Sequence, residues 1–254
     1  MCLIFLSIQQ NPRYPLIIVA NRDEFYARQT APADFWHDSP TVLAGRDLEA
    51  GGTWMGVTKQ GRVALVTNYR DPANINPHAP SRGHLVSDFL QQPLARDRYV
   101  QSVEAKKSLY NGFNLIVGET TGMSYMSNYG QNTETLPPGF YGLSNHLLDT
   151  PWPKVQRGKA TLQGLVQGDA VSTEQLLDAM RDEAMARDAD LPDTGIGLER
   201  ERALSAMFIK TPNYGTRCST VVTVDQRGQL TFTERVFDVR TFAFETRTFS
   251  FLIE

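Results

Sequence analysis

Cysteine is scarce in this sequence, which contains only Cys2 and Cys218 in 254 residues. Two cysteines so far apart do not form a disulfide framework, so a reducing, cytoplasmic setting is expected. Histidine is scarce as well, and its positions show neither the His-x-x-x-His nor the Cys-x-x-Cys spacing of metal sites: His37, His78, His84 and His146. No bound metal is therefore expected.

The sequence also lacks the features of several binding classes. A net charge of −3 provides no basic field for nucleic acid. Neither Gly-x-Gly-x-x-Gly nor Gly-x-x-x-x-Gly-Lys-Ser/Thr occurs, so no nucleotide cofactor is expected. The apolar N-terminal stretch is broken between Gln9 and Pro12 and has no basic region before it, unlike a signal peptide or a membrane span. With these classes excluded, a small-molecule ligand is the expected partner. The sequence does not predict the oligomeric state.

The composition that remains is that of an ordinary globular protein, with 41% apolar and 21% charged residues and no repeat. We expect a single domain over residues 1–254. Strand patterns come first, helix patterns follow and strand patterns return at the end. This order predicts an α+β fold in which two sheets pack face to face and helices cover the outside.

Apolar runs and turn residues predict the individual elements. The opening hairpin joins the run from Cys2 to Ile8 with the run from Leu16, which ends in polar residues. The proline-containing segment from Tyr26 to Pro40 is expected to be an irregular loop that acts as a lid or binding wall. Helices are predicted in segments 81–107 (two, broken near Pro93), 152–166, 173–185 and 198–208, and strands in segments 214–224, 230–237 and 240–252.

Cys2 is the residue on which the functional interpretation depends. Removal of Met1 would leave a thiol nucleophile and a free α-amine on one residue, and the amine could take the thiol proton near neutral pH. Asp23, across the opening hairpin, would hold that amine in place. The alternative is that Cys2 is a small buried apolar residue. Retention of Met1 would remove the amine mechanism.

Asparagine recurs where predicted strands end, at Asn21, Asn68 and Asn145. Asn68 and Asn145, taken singly, could equally form turns, but their recurrence with Asn21 favours one shared pocket in which amide groups stabilise an oxyanion. Several large or charged side chains are expected to line this pocket and bind substrate: Arg22, Trp54, Phe35, Trp36, Arg70 and His146. A surface ion pair is the alternative for Arg70, and a surface position is the alternative for His146.

The motifs together resemble the NRDE family, also called the transport and Golgi organization 2 family. The resemblance rests on segments spread over nearly the whole chain: Cys2, 21–24 (Asn-Arg-Asp-Glu), 44–54, 67–70, 142–145 and 214–217. It implies a four-layer αββα sandwich of the N-terminal-nucleophile hydrolase type. Members of the family have been linked to haem trafficking and to lipid homeostasis, so the resemblance also raises haem or an acyl lipid as a ligand.

A more distant similarity is to penicillin V acylases and bile-salt hydrolases, whose mature chains begin with Cys and carry an Arg-Asn-x-Asp pattern. Asn21 and Asp23 match this pattern, but Ala20 stands where the arginine is expected. Arg22 is one step along the strand and should point to the opposite face unless the strand bends. The similarity implies active-site roles for Asn68 and Asn145. It also implies a late arginine, for which the candidates are Arg200, Arg202 and Arg217.

The leading hypothesis is a hydrolase in which Cys2 attacks the carbonyl of a linear amide or related acyl compound. Its catalytic set would be Cys2, Asn21, Asp23, Asn68, Asn145 and Arg217. The alternative is a non-catalytic protein that binds or carries an apolar ligand such as haem or an acyl lipid in the same pocket. The Cys-x-x-Cys-His attachment motif for haem is absent from the sequence.

Overall fold

The computed structural model describes residues 2–168 and 170–254. The expectation about removal of Met1 falls on a residue outside these ranges. Thirteen strands are assigned in the described chain: β1 Cys2–Ile8, β2 Leu16–Phe25, β3 Thr30–Trp36, β4 Ser39–Asp47, β5 Met55–Thr58, β6 Arg62–Asn68, β7 Phe113–Glu119, β8 Gly122–Ser127, β9 Glu134–Thr135, β10 Gly139–Leu143, β11 Tyr214–Val224, β12 Gln229–Phe237 and β13 Phe244–Leu252. The α-helices of the same ranges are α1 Gly83–Gln91, α2 Arg96–Glu104, α3 Pro153–Val166, α4 Thr173–Ala179 and α5 Leu198–Ala203.

The strands form two antiparallel sheets. One has the order β10-β1-β2-β11-β12-β13 and the other the order β3-β4-β5-β6-β7-β8-β9. Because β1 and β2 are neighbours near the middle of the first sheet, both faces of their apolar runs are covered. This explains why every residue of β1 is buried and why its sequence runs apolar instead of alternating.

Three apolar clusters separate four layers. The first lies between the two sheets and contains Ile4, Leu65 and Phe232 among others. The second lies between the seven-stranded sheet and helices α1 and α2, and the third between the six-stranded sheet and helices α3 and α4. The expected αββα sandwich is therefore confirmed. Among the described residues, no helix has the length and apolar character needed to cross a membrane.

The segment from Tyr26 to Pro40, expected to be an irregular loop, instead contains β3 and the start of β4. Proline is tolerated in a strand at a sheet edge or a bulge, where its missing N–H costs no ladder hydrogen bond. Strand β3 lies at an edge, and the β3/β4 register shifts between Ala31 and Asp34, around Pro32. The loop prediction was wrong because both prolines were interpreted as strand breakers. Helices α4 and α5 are shorter than expected.

Candidate active site

The Cys2 side chain lies between the two sheets. Ile4 and Leu6, at alternate positions of β1, belong to the inter-sheet cluster, and residues two apart on a strand share a face. Cys2 is paired with Arg22 across β2, and cross-strand partners point to the same side. The thiol is buried, with 8% of the residue exposed. Its location between the sheets is set by the strand alternation.

Arg22 lies beside Cys2 on this inner face. Its guanidinium stacks 4.1 Å above the Trp54 ring and its Nη2 lies 3.9 Å from Glu24 Oε2. The Nη1 atom is buried and has no hydrogen-bond partner among the described residues. The expectation that Arg22 points to the face opposite the missing arginine was wrong, because positions 20 and 22 are two apart on β2 and share the inner face with the thiol.

A cavity of about 10 Å³ lies at this position. Its lining is mostly apolar and comprises Cys2, Ile4, Ala20, Asn21, Arg22, Trp54, Met55, Val66 and Thr220. The volume corresponds to about one water molecule. A ligand larger than water would not fit this volume, and Trp54 is the half-buried residue of the lining, whereas the others are buried.

Asn21 faces the helical layer on the other side of the sheet. Its Nδ2 donates to the carbonyl oxygens of Met180 and Met207, each at 2.9 Å, and its Oδ1 accepts from Ser219 Oγ at 2.6 Å. These bonds use both hydrogens of its amide. The side chain attaches the helical layer to β2.

Asp23 lies on the same outer face, two residues beyond Asn21. Its residue is 1% exposed, and Thr216 Oγ1 donates to its Oδ1 at 2.7 Å. The Tyr214 hydroxyl donates to the Asp23 backbone oxygen at 2.9 Å. Burial raises the pKa of the Asp23 carboxyl, while the positive charge of Lys154 acts in the opposite direction.

The two later asparagines lie together at the neighbouring edge of the site. Asn145 Nδ2 donates to the Asn68 backbone oxygen at 3.1 Å, and the backbone N–H of Arg70 donates to the Asn145 oxygen at 2.8 Å. Strand β10 pairs with β1 so that Leu143 faces Ile4. Continuing this register by two residues brings Asn145 level with Cys2.

Three buried charged residues, Arg70, Lys154 and Glu201, lie near Asp23 on the side of the six-stranded sheet that faces helices α3 and α4. Arg70 Nη1 donates to Glu201 Oε2 at 2.7 Å, with 6% and 3% of the two side chains exposed. Lys154, from the first turn of α3, donates from Nζ to the Leu204 backbone oxygen at 2.9 Å.

Sequence reasoning included Arg70 but missed Lys154 and Glu201. A lysine or glutamate in a short helix carries no sequence signal of burial, since such residues usually face solvent.

Burial raises the pKa of the Cys2 thiol, and the Asp23 charge acts in the same direction while the Arg22 charge opposes it. The thiol is therefore predominantly protonated at neutral pH. A thiolate nucleophile would require a base that takes its proton.

Phe35 and Trp36 lie in other parts of the sandwich. Trp36 is buried in the cluster below α1 and α2, and its Nε1 donates to the Ala44 oxygen at 3.0 Å. Phe35 packs edge to face on Phe249 at 6.0 Å between ring centroids and also contacts Phe251. The structure therefore separates them from the lining of the Cys2 cavity, which includes Trp54.

Arg217 lies at a bulge of β11, between Thr216 and Cys218. Its Nη1 donates to the backbone oxygen of Phe25, the last residue of β2, and to those of Tyr26 and Arg28 in the connection that follows. It thereby holds this connection against β11. Of the other two late arginines, Arg202 pairs with Asp188 at 2.7 Å, and Arg200 is exposed.

His146 follows Asn145 and lies among aromatic rings. Its ring centroid is 4.9 Å from that of Tyr69 and 5.9 Å from that of Trp152, and its Nδ1 is 2.9 Å from Thr150 Oγ1. Burial lowers the pKa of the imidazole. The side chain is therefore neutral at pH 7 and packs near the Asn145 edge of the site.

Within residues 2–168 and 170–254, no group of three or more His, Cys, Asp or Glu side chains is arranged to hold a metal ion. Both cysteines are free thiols. Cys218 is buried in β11 and burial raises its pKa well above the usual value.

Sequence comparison identifies the family of the chain. The profile of the family described as Transport and Golgi organisation 2 matches residues 1–239. The chain belongs to this family. It is 38% identical to the Transport and Golgi organization protein 2 homolog of Homo sapiens over 100% of both chains. It is 40% identical to the homolog of Bos taurus over 92% of both chains. The expected family membership is confirmed.

Solved structures of similar fold come from N-terminal-nucleophile hydrolases. A cysteine-to-alanine mutant of conjugated bile acid hydrolase from Clostridium perfringens has a TM-score of 0.51 and 10% identity, covering 99% of this chain and 97% of that one. An arginine-to-leucine variant of the same enzyme has a TM-score of 0.50 and 9% identity, with 99% and 98% covered. At this identity the likeness shows the fold, which is the N-terminal-nucleophile hydrolase sandwich.

Proposed function

We propose that the protein hydrolyses the carbon–nitrogen bond of a linear amide or related acyl compound, with Cys2 as the nucleophile after removal of Met1. The observation that carries the proposal is the shared inner face of Cys2 and Arg22 at the end of β1. A thiol, a cavity and a guanidinium N–H that has no hydrogen-bond partner in the described part of the chain meet there. The conjugated bile acid hydrolase of the same fold is named for hydrolysis, which supports this reaction class.

The proposed chemistry needs a base and an oxyanion partner. The Cys2 α-amine takes the thiol proton, and the thiolate attacks the carbonyl carbon to give a tetrahedral oxyanion. Collapse breaks the carbon–nitrogen bond, and the α-ammonium returns the proton to the leaving amine. Water, deprotonated by the same amine, then hydrolyses the thioester and releases the acid and the thiol.

Two donors are available for the oxyanion. Arg22 Nη1 is buried beside the thiol without a partner among the described residues. Asn145 Nδ2 donates one hydrogen to the Asn68 oxygen, and its second hydrogen, which has no acceptor among residues 2–168 and 170–254, would donate to a substrate oxygen. Asp23 anchors the α-amine from the outer face. In this proposal Arg22 takes the place of the arginine that is missing at Ala20, because both residues share one face of β2.

The substrate would present a compact apolar acyl group. Ile4, Met55, Val66 and Trp54 line the cavity, and apolar walls favour an apolar ligand. The two free thiols are consistent with action in a reducing cytoplasm.

The second candidate function is binding or transport of an apolar ligand, such as an acyl lipid or haem, without hydrolysis. The raised thiol pKa favours it, since a protonated thiol is a poor nucleophile.

An intact-mass measurement followed by labelling with a thiol-directed acyl probe tests the proposal. We expect loss of Met1 and labelling of the wild type. Cys2→Ala should not be labelled, while Cys218→Ala, the matched control, should react like the wild type. Retention of Met1, or labelling that survives Cys2→Ala, would eliminate Cys2 catalysis.

A set of acyl amides, assayed for released amine, then identifies the acyl group. Titration of wild type and Cys2→Ala with haem examines the second candidate. A Soret band that is identical in the two proteins would exclude Cys2 as a haem ligand.

A further inference from the structure

Lys154 occupies an unusual place for a lysine. It belongs to the first turn of α3, which packs on β1 and β10, and only 2% of the residue is exposed. An ammonium group has three donors and is costly to bury without compensation. One donor is used by the Leu204 oxygen, at the C-terminal end of α5. A carbonyl dipole alone does not compensate a buried unit charge.

The other charged or titratable groups around Lys154 are the ion pair of Arg70 with Glu201, and Cys2 and Asp23 at the ends of β1 and β2. Arg70 and Glu201 form a direct ion pair at 2.7 Å, and Glu201 Oε1 also accepts from Thr194. The groups that act on the Lys154 charge come from β1, β2, the segment after β6, and α5: Cys2, Asp23, Arg70 and Glu201. Of these, Asp23 exerts the strongest favourable effect.

The alternation of β2 gives Asp23 and Lys154 a common side. Asn21 reaches the carbonyl oxygens of Met180 and Met207 in the helical layer, so Asp23, two residues further, also faces that layer. Lys154 enters the same layer from α3. Of the positive charges that favour the ionised form of Asp23, that of Lys154 has the largest effect on the pKa of the carboxyl.

We infer that Lys154 is a positioning residue for the nucleophile: its ammonium group holds Asp23 in the ionised form inside the protein, so that the carboxylate can anchor the amine of Cys2. The catalytic meaning of this inference rests on the proposed function. The charge coupling between Lys154 and Asp23 does not depend on the proposed function. A neutral Asp23 would have no charge with which to hold an ammonium group, and the base of the reaction would lose its orientation.

The coupling is measured by carbon NMR of protein labelled at the aspartate carboxyl carbons. The Asp23 resonance is assigned by its loss in Asp23→Asn. In Lys154→Met the titration midpoint of Asp23 should rise by at least one pH unit, because the compensating charge is gone. Lys154→Arg should restore a midpoint close to that of the wild type. Lys159→Met, which removes a half-buried lysine of the same helix that pairs with Asp149, should leave it unchanged.

The reciprocal titration needs no change at Lys154. Burial lowers the pKa of Lys154 to about 8, so labelled lysine ε-carbons should show one early-titrating signal. In Asp23→Asn this midpoint should move lower by at least half a pH unit. If Lys154→Met does not fold, this measurement decides alone. An unchanged midpoint in either folded variant overturns the inference.

The labelling rate of Cys2 by the acyl probe separates this inference from the proposed function. With hydrolase chemistry in place, Lys154→Met should reach half of its maximal rate at higher pH than the wild type, and Lys154→Arg should reverse the change. A purely structural role would lower the rate equally at all pH values and would contradict the inference. Shifted NMR midpoints with no labelling of wild-type Cys2 would leave the charge coupling established and eliminate the proposed hydrolase.

Discussion

Arg22 shows how one residue can acquire a role through the direction of its side chain. The pattern of the acylases has its arginine at the position of Ala20, and Arg22 lies two residues further along β2. Positions two apart on a strand share a face. The guanidinium therefore reaches the thiol side and is held there by the Trp54 ring, 4.1 Å away. Sequence alone identified Arg22 and Cys2 but not their shared cavity.

Trp54 is expected to control access to the thiol. In Trp54→Ala the ring that covers Arg22 is lost, so the alkylation rate of Cys2 by iodoacetamide should increase at least severalfold. The free energy of unfolding should fall by about 1–3 kcal/mol, since the ring is half-buried and its cation–π contact is lost. The alkylation rate is measured by quenching the iodoacetamide reaction at successive times and determining the modified fraction of Cys2 by mass spectrometry.

Phe35→Ala provides the matched control, because Phe35 is a half-buried ring packed on Phe249 and Phe251. It should lose a similar amount of stability without a change in the rate at Cys2. A rate that also rises in Phe35→Ala would mean that general loosening, and not Trp54, exposes the thiol.

The pKa of Lys154 also predicts a pH dependence of stability. Its pKa is about 8 in the folded protein and 10.5 for an ordinary lysine, so between these values the unfolded chain binds more protons. The free energy of unfolding of the wild type, relative to Lys154→Met, should therefore rise with pH in this window, by about 1–3 kcal/mol. Urea titrations at pH 7.5, 8.5 and 9.5 measure the difference. A difference that falls with pH would contradict burial of a charged Lys154.

Among the elements, helix α3 depends on a glycine for its approach to β1. A methyl group at Gly158 would lie 2.2 Å from Phe5 Cζ and 2.8 Å from Met207 Sδ. Alanine improves helix propensity by about 1 kcal/mol, but overpacking a core costs about 1–3 kcal/mol or more. Because the contact is far inside the normal range, Gly158→Ala should be net destabilising in thermal or urea unfolding.

Gly164 of the same helix is the matched control, since a methyl group there meets nothing within 4 Å. Gly164→Ala should stabilise the protein by about 0.5–1 kcal/mol. Stabilisation by both substitutions would show that α3 does not lie as close to β1 as described.

The sequence predicted most elements because their patterns are local. The buried hairpin of β1 and β2, the paired helices around Pro93 and the C-terminal strands all follow from apolar spacing and turn residues. Strands β3 and β4 were missed because Pro32 and Pro40 are compatible with a strand only at an edge or bulge, and edge position is set by the whole sheet. Lys154 was missed because it lies 131 positions from Asp23, and nothing local in α3 indicates burial.

At the scale of the molecule, the chain around Ile253 joins the two sheets. The N–H of Ile253 donates to the Gly228 oxygen in the turn before β12, and the N–H of Glu254 donates to the Lys59 oxygen in the turn after β5. Ile253 packs against the inter-sheet cluster, so it closes one end of the sandwich. The family match ends at residue 239, before β13 and this contact.

Ile253→Ala should therefore lower the free energy of unfolding by about 1–2 kcal/mol, because the side chain is half-buried. Leu252→Ala is the control from the neighbouring position, where the side chain is 60% exposed. Exposed substitutions usually change stability by less than about 0.5 kcal/mol. Equal effects of the two changes in urea unfolding would show that Ile253 does not cover the core.

The thiol and the charged groups approach the end of β1 from opposite faces of one sheet. Residues that would contact an acyl group, such as Trp54, lie between the sheets, whereas Asp23 and Lys154 lie under the helices. In the proposed hydrolase, the selectivity for the acyl group and the pH dependence of the reaction would thus be set by side chains in separate layers. Relatives can diverge in one property while conserving the other, and a protein engineer can alter the two in separate libraries.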